Sequence, residues 1–390
     1  MVVAALGLVI AALPVFLVGG IAVQIRADLG FSETMLGAVI TAFFVAVTLA
    51  SIPGGRLSDR IGARRALIAG TSVTAVALGI VAVAQSWVGI AVGLAVAGLA
   101  LGITEPGIAL VVARLVPGGR QGLAFGIKEA AVPGSTLLAG VAVPSIALTV
   151  GWRWAFGAAA LLVPVMWLIV PRDGERRYTR DTAGLLEESS KPPAMPLSIV
   201  AAGAGLGVAA VTAMSAFLVE AAVAAGLAPG RAGLLLSAGS VAGVVGRVAV
   251  GWLADRTARP QLPVVALMLT GGAGALGLLA LAGSPDAQRT AMLLVIGTVL
   301  AFSVGWGWTG LLFLSAVRSA PDAPAGAAGI ALAGLSVGGA GGPLLFGYLV
   351  STASFPAAWT AGSAMMVSGA GLIVVGNRLL ARRVAVSGQR

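Results

Sequence analysis

Long apolar stretches, separated by short polar segments, recur from one end of the chain to the other. Crossing a bilayer takes about 20 apolar residues in an α-helix. On that ruler the pattern predicts twelve spans, at 2–24, 35–55, 65–85, 88–112, 121–148, 153–171, 196–224, 232–253, 262–283, 289–315, 325–350 and 356–377. The first run, Met1 to Val23, is too long for a secretory signal and lacks a basic start and a clear small-residue cleavage site, so it reads as a retained span. One long hydrophilic segment, 172–195, interrupts the series with RDGERRYTRD and LLEESSKPP. It divides an N-terminal six-helix bundle (1–171) from a C-terminal one (196–390), giving an all-α membrane protein.

The two bundles repeat in sequence. DLGFSETMLG (28–37) aligns with AAGLAPGRAG (224–233), and GGRLSDR (54–60) with VGWLADR (250–256), both at an offset of 196 residues. Arg114-Leu115-Val116-Pro117 meets Arg318-Ser319-Ala320-Pro321 at an offset of 204. An even number of spans per bundle makes the repeats parallel, related by an axis along the membrane normal, as in transporters that rock one bundle against the other.

Composition agrees with the spans. Hydrophobic residues make up 58% and charged residues only 10% of the chain, against about a quarter charged in soluble domains. The net charge of +10 sits in short clusters without interleaved aromatics, which argues against nucleic acid and for orientation signals. One side carries eighteen Lys and Arg, around Arg56, Arg120, the linker, Arg256 and the C-terminus; the other carries four, Arg26, Arg153, Arg231 and Arg289. The positive-inside rule then places the linker and both termini in the cytoplasm, in a multi-pass protein of the cytoplasmic (inner) membrane. With no Cys and no His, thiol chemistry, zinc sites and histidine proton relays are excluded. No metal, cofactor or enzymatic activity is expected. The expected partners are a small-molecule substrate, protons and the lipid bilayer, with the protein a monomer.

At one position the repeat becomes a recognisable motif. Gly55-Arg56-Leu57-Ser58-Asp59-Arg60-Ile61-Gly62-Ala63-Arg64-Arg65 follows span 2, and a degenerate copy, Gly251-Trp252-Leu253-Ala254-Asp255-Arg256, ends span 8. Together with Gly151-Trp152-Arg153-Trp154 and the run ending Gly341-Gly342-Pro343, these resemble the signatures of the major facilitator superfamily. The resemblance implies secondary active transport. It also implies that Gly55, Asp59, Arg60, Gly62 and Arg64, with Gly251, Asp255 and Arg256, form a cytoplasmic latch that stabilises one conformation. From the residues themselves, Gly55 and Gly62 permit a tight turn, and Asp59 can meet a helix N-terminus or an Arg. The arginines also serve as topology anchors.

Ionisable residues inside spans are costly and point to function. They are Glu105 in span 4, Lys128 and Glu129 in span 5 and Arg247 in span 8, with Glu220 near the outer end of span 7. Counted from the cytoplasmic anchors, Glu105, Lys128 and Arg247 lie roughly 12–14 Å deep, near mid-membrane. Nitrate porters, oxalate–formate exchangers and monocarboxylate transporters carry a substrate-binding Arg at the point matching Arg247, and a guanidinium suits planar oxyanions. Where nitrate porters carry a second Arg in span 2, this chain has Ser51, which argues against nitrate. Lys128 and Glu129 project about 100° apart on one helix and are expected not to share a cavity. Glu105 either pairs with Lys128, or Glu105, Glu129 or Glu220 carries a coupling proton. Trp306 and Trp308, two residues apart, point to different sides, and one of them walls the cavity.

Two functions compete. The first is proton-coupled transport of a small organic anion, with Arg247, Lys128, Trp306 and Trp308 at the substrate. The alternative is proton-driven efflux of lipophilic or cationic compounds. Span 5 reads Ala130-Ala131-Val132-Pro133-Gly134-Ser135, a poor match to the Gly-Pro element of drug antiporters, and counts against the alternative.

Overall fold

The computed structural model describes residues 1–30, 33–170, 192–257, 259–282 and 287–387. Every regular element among them is helical. In chain order these are α1 (Val2–Gly20), α2 (Ala22–Leu29), α3 (Glu33–Ile61), α4 (Ala63–Ala82), α5 (Trp87–Leu115), α6 (Gln121–Ala142), α7 (Trp152–Ala160) and α8 (Leu162–Ile169). After residues 171–191, which hold most of the expected linker and lie outside the described residues, come α9 (Ala194–Ala224), α10 (Pro229–Arg256), α11 (Gln261–Ala280) and α12 (Ala287–Leu300). The series closes with α13 (Thr309–Ser319), α14 (Pro324–Thr352) and α15 (Phe355–Ser387). Two π-helical turns, Val143–Ala147 and Ala301–Gly305, interrupt spans 5 and 10.

Eleven of the described helical stretches are long and apolar enough to cross a membrane. The twelfth expected span is α6, 22 residues long, and its adjacent Lys128 and Glu129 lower its hydropathy. Several helices run past their expected ends. The second span continues without a break to Ile61, so Gly55 lies inside a helix and makes no turn. The turn comes at Gly62, where φ is +86° and a side chain would be strained.

The helices fall into two compact units, Met1–Pro192 with Ala316–Ala333, and Pro193–Ser315 with Gly334–Arg390. In the first unit α3 and α4 pack on α5, and α1 on α5 and α6. In the second, α9 and α11 both pack on α15. Glycine makes these contacts close. A methyl group on Gly203 would lie 2.6 Å from the Gly369 carbonyl, and one on Gly369 would lie 2.5 Å from that of Gly203. Where lipid is as apolar as a side chain, backbone-to-backbone packing of this kind holds helices together.

Candidate functional site

The buried charges of the first unit form one cluster. On α5, Glu105 stands among residues that are almost all buried, and on α6 Lys128 faces it. The Lys128 Nζ donates to Glu105 Oε1. It also lies 2.8 Å from Glu129 Oε1 and 5.5 Å from the Phe125 ring centroid. Exposures are 0% for Lys128, 2% for Glu105 and 7% for Glu129. The expectation that Lys128 and Glu129 cannot share one site is therefore corrected. Their Cβ atoms diverge, but a four-carbon stem lets the ammonium reach back to its neighbour's carboxylate. The second oxygen of Glu105, Oε2, is buried and accepts no hydrogen bond. Glu220, by contrast, is exposed near the end of α9.

In the second unit Arg247 is the buried cation, 3% exposed on α10. Its Nη1 donates to the Gly243 carbonyl one turn back, at 3.0 Å. Its guanidinium carbon lies 5.0 Å from the centroid of the Trp306 ring. Glycine on α10 makes room for this. A methyl on Gly243 would sit 3.0 Å from Arg247 Nη1, and one on Gly246 would strike the backbone of Ser303 in the π-helical turn. Trp306 follows that turn, half-buried and 6.0 Å from the Phe302 ring. Single π-helical turns frequently mark functional sites, because they re-aim one side chain within an otherwise regular helix. Trp308 is different: it is fully buried and donates its indole N–H to the Gly305 carbonyl at 2.6 Å. The tryptophan beside the cation is thus Trp306, and Trp308 belongs to the core.

The motif residues assemble at the start of α14. Asp59 Oδ1 accepts from the Ala325 N–H at 3.0 Å and Oδ2 from the Gly326 N–H at 2.6 Å. A carboxylate here answers the unpaired donors and positive dipole end of a helix N-terminus. Gly55 is buried one turn before Asp59, where a methyl would meet the Ala325 backbone. The related segments Arg114–Pro117 and Arg318–Pro321 bind reciprocally: Arg114 donates to the Pro321 carbonyl (3.2 Å) and Arg318 to that of Gly118 (2.9 Å). This pairing was not legible in the sequence, although the repeat marked both segments. Arg60 is exposed and Arg64 half-buried. In the second copy Gly251 is buried, Asp255 is half-buried, and Arg256 lies over the Trp252 ring at 3.8 Å.

Comparisons with known proteins agree with this architecture. The family model of the Major Facilitator Superfamily matches residues 4–327. Mouse (Mus musculus) monocarboxylate transporter 11 is 29% identical over 361 residues, covering 85% of this chain and 76% of that protein. The crystal structure of the human organic anion transporter MFSD10 superposes with a TM-score of 0.74 at 17% identity, covering 95% of this chain and 98% of that one. The proton:xylose symporter XylE superposes at 0.73 and 18% identity, covering 95% and 93%. At such identities the superpositions speak to fold alone.

Proposed function

Because the chain belongs to the Major Facilitator Superfamily and is a membrane transporter rather than an enzyme, we propose that it moves a small organic anion, a carboxylate, by proton-coupled alternating access. The observation that carries this reading is Arg247: a buried guanidinium at mid-span, steadied by the Gly243 carbonyl and the Trp306 ring. A guanidinium stays charged and grips a carboxylate with two parallel hydrogen bonds. Trp306 supplies an apolar wall for the rest of a small substrate. Similarity to a monocarboxylate transporter supports the same substrate class. The latch is Asp59 on the α14 N-terminus, which holds one conformation and leaves the substrate untouched. Both termini are proposed to be cytoplasmic, from the distribution of Lys and Arg.

The test is thermal stabilisation of the purified protein by a panel of small mono- and dicarboxylates. A ligand that binds only the folded state raises the melting temperature by mass action. Carboxylates should stabilise the wild type, and Arg247→Lys should lose roughly 1.5–3 kcal/mol of binding, about tenfold to a hundredfold, because a point charge cannot reproduce the fork. Stabilisation by lipophilic cations with none by carboxylates would favour the efflux reading. Equal binding by Arg247→Lys would remove Arg247 from the substrate.

A further inference from the structure

Two carboxylates and one ammonium are buried together between α5 and α6, and this imbalance has chemical consequences. Glu105 lies on α5, with Lys128 and Glu129 on α6, and the elements packed on these two helices among the described residues are α1, α3, α4 and the turns at either end of α6. α3 carries Glu33 at its start and Arg56, Asp59 and Arg60 in its last two turns, α4 carries Arg64 and Arg65 in its first turn, and the ion pairs at the cluster itself are those of Lys128 with Glu105 and with Glu129. α1 carries no ionisable residue. On α5 the other ionisable group is Arg114, nine residues further on and bonded to the Pro321 carbonyl. The turn Gly118–Arg120 adds Arg120, eight residues before Lys128, and Val143–Ala147 adds none. With Glu105, Lys128 and Glu129 all ionised, these three buried groups carry one net negative charge. Buried charge of that kind is expensive unless it is paired, and in proteins it is relieved by binding a proton.

We propose that Glu105, Lys128 and Glu129 form a one-proton site, the proton residing on Glu105 Oε2. That atom is buried and accepts no hydrogen bond, whereas Glu105 Oε1 and Glu129 Oε1 each face the Lys128 ammonium. The proton comes from bulk water and adds to a lone pair of Oε2, and no other bond breaks. The ammonium keeps its three protons and stays paired with Glu129, so the loaded cluster is neutral. Unloaded, it carries its excess charge through the apolar phase whenever the helices move, which penalises reorientation without the proton. Lys128 thereby acts within the proton site, not at the substrate. This inference rests on the proton-coupling part of the proposed function, yet its test needs no substrate, so each can fail separately.

Infrared titration of the purified protein follows the carbonyl stretch of a protonated carboxyl. Wild type should show one buried carboxyl whose protonated band appears and disappears reversibly as the bulk pH is varied. Glu105→Gln and Glu129→Gln should each lose that band, because either change leaves a neutral pair with the ammonium. Lys128→Gln should gain a second protonated carboxyl. The wild-type titration requires no variant, so the proposal remains testable if a variant fails to fold. It is overturned if wild type shows no titrating buried carboxyl, or if the band persists in both glutamine variants. It is also overturned if sodium in place of a large organic cation raises the melting temperature while no carboxyl titrates, which would make this a sodium site.

Discussion

A guanidinium taken out of water costs several kcal/mol unless its surroundings answer the charge, and Arg247 has a carbonyl and an aromatic face to do so. The neighbouring tryptophans therefore separate by role. Trp308→Ala should destabilise the fold by about 3–5 kcal/mol, the cost of emptying a core aromatic site. Trp306→Ala should destabilise the fold less, by about 0.5–2 kcal/mol, the worth of the cation–π contact it makes with Arg247, and should weaken substrate binding where Trp308→Ala does not. Melting curves and calorimetric binding on the two variants check this, and the opposite pattern would reverse the assignment. Which ring stands by the cation was not legible, because a spacing of two separates faces without saying which neighbour each meets. Matched depth on antiparallel neighbouring spans offered the Glu105–Lys128 contact as one of two readings, and the two side chains do meet. Glu129's part in it was missed, since helix geometry fixes the direction of Cβ and not the reach of a lysine.

A helix N-terminus leaves several N–H groups without intrahelical partners, and at α14 the Asp59 carboxylate accepts two of them. Asp59→Asn removes the charge while keeping one acceptor oxygen. It should slow transport severalfold with little change in substrate affinity, because the contact biases conformation and does not touch ligand. Transport rates and binding measured on the same variant check it; lost affinity at unchanged turnover would contradict the role. A second polar tie joins α2 to α7. Asp28 Oδ2 accepts from Trp152 Nε1 at 3.0 Å and from Arg153 Nη1 at 2.6 Å, and Arg153 also donates to the Ala84 carbonyl. The hydrogen bond from Arg153, then that from Trp152, hold the Asp28 carboxyl below its usual range. A depressed folded-state value means stability that is present above the unfolded pKa of about 3.9 and lost as pH falls through the folded one. Wild type should therefore lose its melting advantage over Asp28→Asn on acidification below about pH 4; an advantage unchanged at low pH would dismiss the tie. At this scale eleven of the twelve expected spans were legible because hydropathy reports them directly, whereas Lys128 and Glu129 lower that of α6. The run of α3 to Ile61 was not legible, since its last turns carry Arg56, Asp59 and Arg60 and hydropathy ends the span before them, nor was the π-helical turn before Trp306, which leaves no mark in an apolar run.

Across the whole molecule, internal repetition predicted two bundles. The structure divides into two compact units in which the stretch Ala316–Ala333, from the second repeat, packs with the first. Sequence could not have shown this, because it follows from packing at the Asp59 and Arg114 contacts and not from any local pattern. Among the described residues, the buried ionic centres are the Glu105–Lys128–Glu129 cluster in the first unit and Arg247 in the second. With the proton assigned to the first and the carboxylate to the second, coupling means that both move together. The most direct measurement is proton flux into liposomes containing the purified protein, read by a trapped pH indicator after an inward gradient of small carboxylates is imposed at zero membrane potential. Protons should enter with the carboxylate, and Arg247→Lys should require about tenfold to a hundredfold more carboxylate for the same entry. Carboxylate gradients that move no protons, together with proton efflux driven by lipophilic cations, would contradict the account.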